Sequence, residues 1–374
     1  MANDNNFKIK NGLQAGRYLQ TGGTETAGSV GYNLAGAEYD SVSFSVAGQE
    51  ASPYGIFFKP DGTKMYIVGY TGDDVNEYDL STAWDVSTAS YLQVFSVSAQ
   101  DTTPLKLFFK PDGTKMFVLG ATGDDVNEYD LSTAWDVSTA SFLQNFSVAA
   151  QDTSPTDLFF KPDGTKMFVL GAVGDDVNEY DLSTAWDIAT ASYLQNFSVA
   201  AQETSPGNVF FKPDGTKMYI VGVAGQDVNE YNLSTAWDIS TSVYSQNFSV
   251  AAQDTSPIDL FFKPDGTKMY VLGASNDTVY QYSTVDYTQT LDLSTGSYFS
   301  FTPSGATTVS FTNAPASGKA VGFAVEINGD GSVITWPTSV KWPSGTAPTA
   351  TASKEVYAFV TTDGGTTYYG KKVD

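Results

Sequence analysis

The sequence predicts an all-β chain, a five-bladed β-propeller followed by a C-terminal β-sandwich. Three observations carry the prediction. The nonapeptide Phe-Phe-Lys-Pro-Asp-Gly-Thr-Lys-Met begins at Phe57, Phe108, Phe159, Phe210 and Phe261, each start 51 residues after the last. Each copy is filled with short β-type runs separated by Gly and Pro turns, a pattern of propeller blades rather than of helical arrays. Long helical periodicity is missing, while Gly, Ser, Thr, Asp, Phe, Tyr and Val dominate.

The second copy shows how one repeat becomes one blade. Leu107-Phe108-Phe109 and Met116-Phe117-Val118-Leu119 are apolar runs joined by a Pro111-Asp112-Gly113 turn. That turn combines a preset φ, a capping side chain and a residue tolerant of positive φ. Neither run alternates cleanly, as expected of strands buried on both faces. Val126–Leu131 reads as the third strand. Ser132–Ala140 reads as a connection with one short helical turn, and Ser141–Val148 as the fourth strand.

The ends of the array predict how the ring closes. Tyr39–Val46 matches a fourth strand without the three that should precede it, and the fifth copy ends after its third strand at Tyr282. Residues 39–46 are therefore expected to complete the last blade. The domain reading is 1–36 as an N-terminal segment for attachment to a partner or for oligomerisation, with a hairpin over Phe7–Gln20, 37–286 as the propeller, and 287–374 as the sandwich. In the last segment, runs such as Val321–Ile327 and Val356–Val360 are separated by Gly and Pro turns.

Composition excludes several classes of function. With no Cys and no His, the chain lacks a thiol nucleophile, a thiolate metal site and the commonest general base. A formal net charge of −23 disfavours nucleic acid and anionic membranes. The polar, acidic start Met1-Ala-Asn-Asp-Asn-Asn is unlike a signal peptide, and no apolar run is long enough for a membrane span. Synthesis in a cytoplasm without membrane insertion is the expectation.

Because the copies are nearly identical, their radical differences stand out. At the start of the first strand the pairs are Tyr54-Gly55, Leu105-Lys106, Thr156-Asp157, Gly207-Asn208 and Ile258-Asp259. At the turn after the second strand they are Tyr70-Thr71, Ala121-Thr122, Ala172-Val173, Val223-Ala224 and Ala274-Ser275. In a blade both places lie at one end, so they gather around the mouth of the central channel. The candidate ligand-binding residues are Tyr54, Tyr70, Leu105, Lys106, Thr122, Thr156, Asp157, Asn208, Ile258 and Asp259, read as exposed positions free to vary. Neutral drift of exposed loops is the competing explanation.

Other motifs are weaker. Trp84, Trp135, Trp186 and Trp237 recur in four copies, with Val285 near the fifth place. They are read as anchors against the neighbouring blade, with stacking on sugar rings as the alternative. The acidic turns at Asp73-Asp74, Asp124-Asp125 and Asp175-Asp176 lack the spacing and terminal Glu of a calcium loop, so neither metal nor cofactor is expected. A glycosidase-type centre needs carboxylates in unlike environments. Only Asp157 and Asp259 stand near the mouth, two blades apart, which points to a non-enzymatic role.

The Phe-Lys-Pro-Asp-Gly-Thr-Lys-Met element followed by Asp-x-Val-x-x-Tyr resembles the repeats of YVTN-like propellers. More specifically, Phe7–Gln20, the Leu-Ser-Thr-Ala-Trp-Asp-Val-Ser-Thr-Ala connections and Val340–Pro348 with Phe359–Tyr369 resemble tail-fibre, spike or head-fibre proteins of tailed phages of marine bacteria. The resemblance implies a virion surface protein, often a homotrimer, attached to other virion proteins and touching a host-surface glycan or protein. A structural decoration protein is the alternative, and a polysaccharide-degrading enzyme a further one.

Overall fold

The computed structural model describes residues 20–21, 24–27, 31–285, 287–303, 305–329 and 331–373. The hairpin expected over Phe7–Gln20 lies outside the described residues except for Gln20. The chain divides into two compact units, Val30–Thr284 and a second comprising Met1–Ser29 with Val285–Asp374.

The first unit is a five-bladed propeller of four-stranded antiparallel sheets. Blade two, for example, consists of Pro104–Phe109, Lys115–Gly120, Asp125–Leu131 and Ala140–Ser147 from the axis outward. The register places Phe108 opposite Phe117, Phe117 opposite Glu128, and Glu128 opposite Gln144. The inner three strands are almost wholly buried, because each blade packs both faces against its neighbours. The outer strand alternates exposed and half-buried residues. The expected short helical turn is a 3-10 turn at Val137–Thr139, capped by the Asp136 side chain on Ser138 N.

Four of the five Pro-Asp-Gly turns are locked from above by the tryptophan that follows in the same blade. Gly113 has a φ of 74°, and a Cβ there would lie 2.3 Å from the Trp135 ring. Glycine is thus required both by conformation and by close approach. Trp135 N donates to Gly113 O at 3.0 Å, and Tyr66 of blade one donates its hydroxyl to Trp135 O at 2.7 Å. Trp135, Trp186 and Trp237 are buried and touch phenylalanines of the preceding blade. The tryptophans anchor the connections, in line with the packing reading.

The N-terminal side of the propeller closes the ring. Glu38–Ser45 pairs antiparallel with Thr278–Ser283 and completes blade five. Two residues, Asp40 and Ser41, bulge out of this pairing, where the other blades bulge one. Ser41 has a φ of 59°. The extra bulge brings Asp40 to Lys268 Nζ at 2.5 Å, Gln281 Nε2 at 2.9 Å and Ser283 Oγ at 2.6 Å. In the other blades the second-strand lysine meets a buried glutamate instead, as Lys115 meets Glu128 at 2.5 Å. Blade five has Gln281 at that place, so the negative charge has moved to the closing strand.

Tyr32 supplies the fifth lock. It has a φ of 69°, donates N–H to Gly266 O at 2.7 Å and covers Gly266 as tryptophan covers the other glycines. Tyr219 donates its hydroxyl to Tyr32 O at 3.0 Å. The expectation that Val285 stands near this position is corrected. The ring sits on the N-terminal side because the closing strand enters there, and Val285 falls in the second unit.

The second unit has two mixed sheets. One orders Gln20–Thr21, Tyr298–Phe301, Val321–Asn328, Lys354–Thr361, Tyr368–Val373 and Val340–Lys341. The other orders Thr24–Ala27, Tyr287–Asp292, Thr307–Thr312 and Ile334–Thr335. They share one apolar core, in which Phe311 meets Phe323 and Phe359 at 5.0 and 5.3 Å. Within the stretch 1–36, the two short strands belong to this unit while Tyr32 and Leu34 are buried in the propeller.

Tyr32→Ala is expected to destabilise the propeller by about 3–5 kcal/mol, the cost of emptying a large buried aromatic site. Tyr32→Trp, which copies the other four blades, should cost less than Tyr32→Ala, about 1–3 kcal/mol, because it adds volume and loses the hydroxyl bond to Pro264 O. Urea unfolding followed by tryptophan fluorescence checks both.

Candidate functional site

The mouth of the channel is built by a bulge at the start of every inner strand. Pro104 pairs with Gly120 and Lys106 with Leu119, leaving Leu105 unpaired between them. The same shift skips Tyr54, Thr156, Gly207 and Ile258 in the other blades. A bulged residue leaves the ladder and its side chain is redirected. These five residues therefore splay into the mouth, and the next five turn onto the axis.

The ten sequence-predicted positions accordingly separate into two layers and one outlier. Tyr54, Tyr70, Leu105, Thr156 and Ile258 line a funnel of about 350 Å³, with Gly207, Val223 and the hydroxyl-bearing Thr103, Ser154, Ser205 and Ser256. Thr122 is exposed and bonds to Thr103 at 3.1 Å without lining the funnel. Lys106, Asp157, Asn208 and Asp259 are buried beneath. The reading of these four as exposed, freely variable positions is corrected, since the bulge carries them inward where they contact one another.

The funnel walls differ by blade. Tyr54 and Tyr70 stack at 4.3 Å between ring centroids and 23° between planes, the one aromatic pair at these positions. Burial and the hydrogen bond with Tyr54 push the Tyr70 phenol above its ordinary value. The other blades pair Leu105, Thr156, Gly207 and Ile258 with Ala121, Ala172, Val223 and Ala274.

The buried layer is a polar plug. Lys106 Nζ, 2% exposed, reaches across to Asp259 Oδ1 at 3.2 Å and Ile258 O at 2.7 Å. Asn208 Nδ2 donates to Asp157 Oδ2 at 2.8 Å and Asp259 Oδ1 at 2.5 Å. Backbone N–H groups of Val209 and Ile56 donate to Asp157 and Asp259 at 2.6 and 2.5 Å. Gly55 contributes no side chain. A Cβ there would lie 2.9 Å from Leu105 O and 3.1 Å from Lys106 Cα. Burial holds both aspartate carboxyls above the usual range. Lys106 opposes this in each case, and Asp259 adds to it for Asp157.

Below the plug the channel ends. Phe57, Phe108, Phe159, Phe210 and Phe261 form a closed pentagon of edge-to-face contacts at 5.1–5.7 Å between centroids. A void of about 20 Å³ remains between pentagon and plug.

A third set of acids, unremarked in the sequence reading, shapes the rim. Asp101 accepts Thr103 N at 2.6 Å and both Thr122 N and Gly123 N at 3.0 Å, tying the incoming connection to the turn after the second strand. Glu50, Asp152, Glu203 and Asp254 repeat this. Their 51-residue period was the available signal. In the Gly-Asp-Asp turns, Asp125 accepts Asn127 and Asn145 at 2.7 and 2.5 Å, a structural role. No cluster of three or more metal-ligating His, Cys, Asp or Glu side chains exists among the described residues.

No family model matches the chain, and no curated protein matches it. Solved structures similar to it include a protein from Lactobacillus plantarum, at 15% identity and a TM-score of 0.42 over 62% of this chain and 67% of that one. A putative 6-phosphogluconolactonase from Bacteroides fragilis is similar at 15% identity and 0.39 over 61% and 65%. The periplasmic gluconolactonase PpgL of Pseudomonas aeruginosa is similar at 16% identity and 0.39 over 62% and 66%. The chain thus covers about two thirds of the length of each. Likenesses this distant carry no argument about activity.

The plug gives the protein a peaked pH profile. Asp157 is held above its unfolded value near ~4, so taking up a proton favours the fold, and stability rises as pH falls from neutrality. Asp61, Asp112 and Asp163 behave oppositely. Against the effect of burial, hydrogen bonds from the neighbouring Lys and Thr hold each at about 2, so their contribution is lost as pH falls towards that value. Tm measured between pH 8 and pH 2 should pass through a maximum, with a flatter high-pH limb in Asp157→Asn.

Proposed function

We propose that this chain is a virion surface fibre or spike protein of a tailed bacteriophage that binds a host-surface receptor, without catalysis, through the mouth face of the propeller. The observation that carries the reading is where the repeats diverge. The blades keep their locks, pentagon and rim acids and differ radically around one concave site. A face of this kind sets ligand choice while leaving the scaffold intact. The virion assignment rests on the resemblance of the termini and connections to marine phage fibres. The stretch 1–36 is assigned to attachment to other virion proteins, the second unit is read as a small β-sandwich, and the assembly as a homotrimer.

The carboxylates near the mouth support binding rather than catalysis. Asp157 and Asp259 are 3% and 2% exposed, and backbone and Asn208 donors hold their oxygens. A general acid or base must reach its substrate within hydrogen-bond distance.

A particle-decoration role is the second reading, favoured by one observation. Tyr91-Leu92, Phe142-Leu143, Tyr193-Leu194 and Val243-Tyr244 are exposed on the outer strands of four successive blades, an apolar belt suited to packing.

Purified intact protein is expected to block adsorption of the parent phage to its host cells in a dose-dependent way. Unimpaired adsorption at saturating protein would favour the decoration role.

A further inference from the structure

We infer that the funnel is a single axial site for one uncharged sugar residue and that it excludes anionic glycans; this rests on the mouth face being the receptor-binding face.

The argument begins with the two unlike walls. Inner strands contact in the order of blades one to five and back to one, so blade one faces blades three and four across the axis. The aromatic pair Tyr54–Tyr70 stands on blade one. Opposite it are Thr156 with Ser154 on blade three and Gly207 with Ser205 on blade four. A pyranose has an apolar C–H face and a perimeter of hydroxyls. Its face suits the tyrosine and its edge suits the hydroxyl wall, with Gly207 leaving room. A volume of about 350 Å³ is at the small end of ligand pockets, which run from about 300 to 1,000 Å³.

Charge supplies the exclusion. No charged side chain lines the funnel. Among the described propeller residues, every lysine except Lys106 lies on a Pro-Asp-Gly turn or the strand start after it, at the opposite end, and there is no arginine. Lys106 is enclosed in the plug. The mouth end instead carries the rim acids, the first aspartates of the three Gly-Asp-Asp turns, and Asp277 at the matching place of blade five. Burial and their acidic neighbours hold the Asp124 and Asp277 carboxyls above their ordinary value. Such a field repels anions, most strongly at low ionic strength.

The test uses intact protein and methyl glycosides at millimolar concentration, followed by saturation-transfer NMR and titration. The neutral probes are the glycosides of glucose, galactose, mannose, rhamnose, N-acetylglucosamine and N-acetylgalactosamine; the anionic ones are those of glucuronic and galacturonic acid. At least one neutral probe should bind and neither uronate should do so in low salt. Tyr54→Ala should weaken that binding about tenfold or more, as loss of an aromatic anchor does. Thr156→Val should weaken it less, and Thr122→Val, outside the lining, should leave it unchanged. Urea midpoints of the variants separate lost binding from lost folding. Uronate binding equal to neutral binding, or an unchanged affinity in folded Tyr54→Ala, overturns the inference. If no glycoside binds yet the protein still blocks adsorption, the sugar assignment fails and receptor binding stands. If it neither binds nor blocks, both readings fail.

Discussion

Closing the ring with a strand from the opposite end of the array is the constraint on which the propeller depends. A blade has both faces covered only if neighbours exist on both sides, so an open array leaves two apolar faces in water. Here the N-terminal side contributes Glu38–Ser45 as the last outer strand, Tyr32 as the fifth turn lock and Asp40 as the partner of Lys268. Closure also completes the phenylalanine pentagon, since Phe261 of blade five meets Phe57 of blade one at 5.1 Å. Backbone pairing, aromatic packing and a charge pair all depend on that one junction.

Fivefold closure creates the site as a by-product of geometry. Five inner strands around an axis leave a narrow channel that the pentagon fills from one end. The bulge after each strand's proline turns five residues outward into the mouth and the next five inward. Polar residues on the inward positions bear a desolvation cost, met by a cross-blade network of Lys106, Asp157, Asn208 and Asp259. The plug fixes the floor of the funnel. Because a channel on a symmetry axis belongs to all blades at once, near-identical repeats yield one site with unlike walls rather than five equivalent ones.

Legibility in the sequence followed the repeat. The blade boundaries, the Pro-Asp-Gly turns and the closing strand near 39–46 could be read because each is local and recurs every 51 residues. Tyr32 could not, since it replaces Trp from a distant point of the chain with a different residue. Asp40 was equally hidden. Its role depends on a two-residue bulge and on the loss of the usual Glu at Gln281, and neither signals the other along the chain. The divergent pairs were found by comparing copies, but their division into funnel and plug was not. Adjacent residues such as Leu105 and Lys106 differ in destination only through the bulge.

What the sequence by itself determined is the local and the periodic: an all-β chain, blade size and number, the turn chemistry, and the positions where the copies were allowed to part. Each follows from φ preferences and apolar patterning within about one repeat. What only the tertiary structure decided is which of those positions meet. Ring closure brings residues of different blades within hydrogen-bond distance on one axis, as Lys106 meets Ile258 O and Asp259 across 152 residues of sequence or more. Contacts of that separation are set by the curvature of the whole ring, and no window of the chain contains them.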